Sequence, residues 1–60
     1  MSMNTEQRTG RVLRSLPDKR VVVLADGKEI TARASGLAPR RGADVLIVNP
    51  GNGWVVASWH

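Results

Sequence analysis

Apolar and polar positions alternate most cleanly from Glu29 to Ala34, where Ile30, Ala32 and Ala34 fall on one side and Glu29, Thr31 and Arg33 on the other. Alternation of this kind predicts a half-buried β-strand. The preceding run, Lys19 to Ala25, reads KRVVVLA, and Asp26-Gly27 between the two is the residue pair that a tight hairpin turn demands. With Ala25 opposite Lys28, Val23 sits against Ile30 and Val21 against Ala32, so these four share a buried face. Further upstream, Gly10 to Leu16 reads GRVLRSL, and Leu16-Pro17-Asp18-Lys19 predicts a turn with proline at its second position. Pairing Leu16 with Lys19 brings Val12 across from Val23 on the same face. Leu13, Val22 and Leu24 then point outward.

The last third of the chain carries a second hairpin pattern. Gly42 to Val48 (GADVLIV) and Trp54 to Trp59 (WVVASW) flank an Asn-Pro-Gly-Asn-Gly cluster, and neither run alternates simply. If Val48 pairs with Trp54, one face holds Ala43, Val45, Ile47, Val55, Ala57 and Trp59, and the other holds Leu46, Val48, Trp54 and Val56. Both faces are apolar, so each needs a cover. The first is assigned to the core, giving a predicted core of Val12, Val21, Val23, Ile30, Ala32, Val45, Ile47, Val55 and Ala57.

The remaining segments connect or extend these strands. Residues 1–9 are polar without a period and are read as a flexible arm, leaving residues 10–60 as a single domain. Ser35 to Arg41 contains Gly36 and Pro39 and is too short for a regular helix with its turns, although one 3₁₀ turn would fit. Leu37 in this connection is expected to plug a barrel end. Five short strands with one longer link between the third and fourth predict an all-β fold, a small OB- or SH3-like barrel whose closure removes exposed sheet edges.

Composition narrows what such a barrel can do. A chain of 60 residues forms one domain of modest stability, and with no cysteine it has neither disulfides nor thiolate metal ligands. Docking to other chains is then the remaining common support. Catalysis finds little footing: His60 is terminal, and the carboxylates Glu6, Asp18, Asp26, Glu29 and Asp44 fall mostly in turns or on an exposed strand face. Neither an enzyme nor a cofactor is expected. Gly51-Asn52-Gly53 is followed by no Lys-Ser/Thr and no helix, so it reads as a turn rather than a phosphate loop. No apolar run has membrane-spanning length, and the start lacks a signal-peptide stretch, so a cytoplasmic setting without membrane contact is expected.

Two readings remain for partners. The formal net charge is +4, and Arg11, Arg14, Arg20, Arg33, Arg40 and Arg41 could track a nucleic-acid backbone. The same arginines would equally serve as a solvated surface, and single-strand binders need aromatic platforms that a chain without Phe or Tyr supplies sparsely. The other reading is a protein interface made by Leu46, Val48, Trp54 and Val56, with Leu13, Val22 and Leu24 outward elsewhere. Coiling of the barrel would instead turn some of these side chains inward.

The stretch GRV, then VVVLADGKEITARA, LAPRRGADVLIV and the closing GNGWVVASW resembles the small OB-like barrels of tailed-bacteriophage structural proteins, especially in tail tips and baseplates. Those barrels often show a Pro-x-x-Gly-Asp lead into a strand, a Gly-rich turn and a final Trp-Val-Val strand. Here the lead is Pro39-Arg40-Arg41-Gly42-Ala43-Asp44, with Ala43 inserted, and the larger domains usually attached to such barrels are missing from this sequence. The resemblance implies a non-enzymatic virion subunit, assembled in a host cytoplasm, whose partners are other virion proteins or further copies of itself. A free-standing copy could also be a capsid accessory or head-completion protein.

Overall fold

The computed structural model describes residues 6–36 and 38–60. Five strands follow in order: β1 (Glu6–Leu16), β2 (Arg20–Ala25), β3 (Lys28–Arg33), β4 (Asp44–Asn49) and β5 (Trp54–Trp59). They close into a barrel in the order β1-β2-β3-β5-β4, with β1 meeting β4. Every neighbouring pair is antiparallel except β3 with β5. Of the two barrel types considered from the sequence, this Greek-key order with one parallel seam is the OB arrangement.

The barrel closes because β1 serves two neighbours. Its first half, Glu6 to Arg11, pairs with Asn49 to Asp44, and its second half, Arg11 to Leu16, pairs with Leu24 to Arg20. The strand therefore changes partner near its middle, and Gly10 stands beside that point. A Cβ at Gly10 would lie 2.5 Å from the Leu24 carbonyl oxygen and 2.6 Å from Val23 Cγ1. Only glycine lets the two backbones come this close.

The β2-β3 hairpin has the register expected from alternation, with Ala25 opposite Lys28, Val23 opposite Ile30 and Val21 opposite Ala32. Asp26 and Gly27 both have positive φ, at 53° and 73°, as a tight primed turn requires. The first turn differs from expectation. Leu16 faces Arg20 rather than Lys19, and Asp18 and Lys19 take φ of 64° and 59° in a loop one residue longer. A bulge at Leu13 absorbs the extra residue, so Val12 still meets Val23.

Four of the residues expected in the arm are instead part of β1: Glu6 to Thr9 pair with Asn49 to Leu46. The reason is that β4 would otherwise present an open edge, and backbone pairing does not require apolar side chains. Residues 1–5 and Leu37, the expected plug, lie outside the described residues. Pro39 is fully buried, which folds the β3-β4 connection back onto the barrel. That connection is tied at its ends by the Ala34 N–H to the Lys19 carbonyl and by the Gly42 N–H to the Val12 carbonyl. Between these ties the described residues form turns and irregular structure with no helix.

Val12, Val21, Val23, Ala25, Ala32, Val45 and Ile47 form the buried core, with Ile30, Ala43, Trp54 and Val56 packed against it. Two expected core residues are corrected: Val55 and Ala57 are exposed. The cause is the register of β4 with β5. Val48 faces Val55, not Trp54, and Ile47 faces Val56; a bulge at Ala57 then precedes the Leu46–Ser58 and Val45–Trp59 pairs. The slip of one residue exchanges the two faces of β5 over its first three residues.

Candidate interaction surfaces

The register of β5 divides the seven residues expected to form an apolar interface. Trp54 faces Ala32 across the parallel seam and, like Val56, is half-buried with its packing on the core, so the two do not share a face with Leu46 and Val48. Val22 points outward as expected but is only 4% exposed. It lies between Arg14 on β1 and Thr31 on β3, and the Arg14 guanidinium reaches across β2 to Glu29 at 3.2 Å. Leu13 is half-buried in its bulge, and Leu46 and Val48 are half-buried on the outer side of β4. Leu24 alone of the seven is exposed, at 42%.

Leu24 and Leu46 do meet in one place. They line a groove of about 560 Å³ together with Trp59, which is 41% exposed. Thr9, Ser58 and the Arg11–Asp44 ion pair, at 3.5 Å, give this groove its polar margin. Arg11 sits on the outer face because it pairs with Leu24 on one side and Asp44 on the other. Trp59, expected on the same face as Val45 and Ile47 though not in the core, does pair with inward Val45, but it stands at the end of β5, beyond the last β3 pair, and is exposed. On its other side, Trp59 borders a second hollow formed with Arg40, Arg41, Ala43 and His60.

The charged residues are all outside: among the described residues no buried side chain is polar or charged. Each of the chain's five carboxylates has an arginine within 4.0 Å, Glu6 and Asp26 with Arg8, Asp44 with Arg11, Glu29 with Arg14 and Asp18 with Arg20. Among the described residues, Lys19, Lys28, Arg33, Arg40 and Arg41 have no carboxylate partner, so the excess positive charge resides on them. Of the six arginines considered for nucleic acid, Arg11 and Arg14 are held in ion pairs, and Arg20 in a long one with Asp18 at 4.0 Å. Arg20 and Arg33 face each other across β2 and β3, and Arg40 and Arg41 stand apart beside Trp59.

No group of three or more His, Cys, Asp or Glu among the described residues could hold a metal ion. The loop from Pro50 to Gly53 is organised by Asn49, whose Oδ1 accepts the N–H groups of Gly51 at 2.8 Å and Gly53 at 3.2 Å. Those two donors are therefore spent inside the loop, in keeping with a turn. The chain matches no protein-family model and no curated protein.

Proposed function

We propose that the protein is a non-enzymatic structural subunit that works by docking to other protein chains, in a viral particle as its resemblance implies. The groove of Leu24, Leu46 and Trp59 carries this reading. An exposed tryptophan beside two leucines, ringed by polar and charged groups, has the anatomy of a contact surface with an apolar centre and a wet margin. The anchor is thus Trp59 rather than Trp54. Absence of buried polar side chains among the described residues fits a barrel whose interior serves packing alone.

Binding of nucleic acid is the second reading, favoured by Arg33, Arg40 and Arg41 having no carboxylate partner among the described residues. Against it, the outer face of β2 and β3 carries no aromatic residue of its own, and the half-buried Trp54 at its edge is the one ring beside Arg20 and Arg33, where single-strand binders stack several bases. Sedimentation velocity over a range of concentrations separates the two. Docking predicts self-association that persists from about 50 to 200 mM salt and is weakened roughly tenfold or more by Trp59→Ser, the loss expected of an interface anchor. A monomer at every concentration that binds single-stranded oligonucleotide, with affinity falling steeply over that salt range, would replace the first reading by the second.

A further inference from the structure

We infer that Arg20 and Arg33 form a binding site for a phosphate group on the outer face of the barrel. The two residues are direct cross-strand partners at the open end of the β2-β3 hairpin, and both point away from the core because Val21 and Ala32 beside them point in. Like charges in direct opposition destabilise a sheet. Little in the protein offsets this pair. The nearest carboxylate, Asp18, is 4.0 Å from Arg20 and its side chain is 87% exposed. The Arg20 Nε–H donates to the Pro17 carbonyl at a long 3.4 Å, and Arg33 has no carboxylate partner among the described residues.

The surroundings shape the site. Arg20, Arg33 and Thr31 line a hollow of about 350 Å³ together with Trp54 and Val55 at the start of β5 and with Pro50, Asn52 and Gly53 of the β4-β5 loop. Two guanidinium forks can each give paired N–H bonds to a tetrahedral oxyanion. The Thr31 hydroxyl and the Asn52 amide add donors of lower charge. Binding turns a repulsive pair into a bridged one, so the anion contributes stability that the free barrel lacks. This site is separate from the groove of Leu24, Leu46 and Trp59, and it does not depend on the docking role.

Thermal melting with inorganic phosphate, against chloride at the same ionic strength, tests the assignment. Phosphate at about ten times its dissociation constant should raise the melting temperature by roughly 5 to 10 °C. Arg33→Gln should abolish that rise and, in chloride, melt at or above the parent temperature because the repulsion is gone. Arg40→Gln, the same loss of charge elsewhere, should keep the rise. A single-stranded oligothymidylate in parallel distinguishes the source: an Arg33-dependent rise with both ligands assigns the site to a phosphodiester, and with phosphate alone to free phosphate or a monoester. No rise with phosphate, a rise retained in Arg33→Gln, or a rise lost equally in Arg40→Gln overturns the site. So does an Arg33→Gln variant that melts below the parent in chloride.

Discussion

Gly10 shows how one missing side chain sets the shape of the barrel. Its backbone is not in the left-handed region; what matters is the space beside it, where a methyl group would collide with the Leu24 carbonyl and Val23. Because one of the two obstacles is backbone, rotamer changes cannot clear it. Gly10→Ala should therefore cost about 1 to 3 kcal/mol, the usual penalty of forcing extra volume into a packed site. Urea unfolding measures this directly, and an unchanged midpoint would mean that β1 and β2 can move apart at no cost. Gly27 makes a useful contrast, since a Cβ there meets nothing within 4 Å and only its φ of 73° constrains the residue.

Among the strands, β5 carries the largest consequences. The register with Val48 opposite Val55 sends Trp54 and Val56 inward and Val55 outward. Trp54→Ala should then cost about 2 to 3 kcal/mol, somewhat under the loss for a fully buried tryptophan because Trp54 is half-exposed. Val55→Thr, which keeps the branched side chain a strand favours, should stay within about 0.5 kcal/mol. Chemical denaturation of the two variants decides the register: a larger loss for Val55→Thr would restore the pairing of Val48 with Trp54. The hairpin of β2 and β3 leaves no such ambiguity, because its alternation and its Asp-Gly turn agree on one pairing.

Closure of the whole barrel rests on its weakest seam. β3 and β5 share two register pairs, Ala32 with Trp54 and Arg33 with Val55, whereas β2 and β3 share six. A domain of this size with no disulfide has little stability to spread, so local opening should begin at that seam. Amide hydrogen exchange followed by NMR should show lower protection along Trp54 and Val55 than along Val21 to Val23. Equal protection at both places would show that the barrel opens only as a unit.

Much of this architecture was legible in the order of residues. The five strands, the link between the third and fourth, the β2-β3 register and the inward set Val12, Val21, Val23, Ala32, Val45 and Ile47 follow from alternation and turn chemistry, which are local. The pairing of Arg20 with Arg33 was implicit in the same register. Two bulges were not legible, at Leu13 and Ala57, because a bulge adds one residue without a required side chain, and each reassigns which side chains meet. The pairing of Glu6 to Thr9 was hidden for a related reason: those polar residues join the sheet through their backbone, which composition does not report. The meeting of Leu24, Leu46 and Trp59 in one groove needed the barrel itself, since β2 is brought near β4 and β5 only where β1 changes partner. Local sequence thus specified the elements and most of the core, while closure decided which outward residues share a surface.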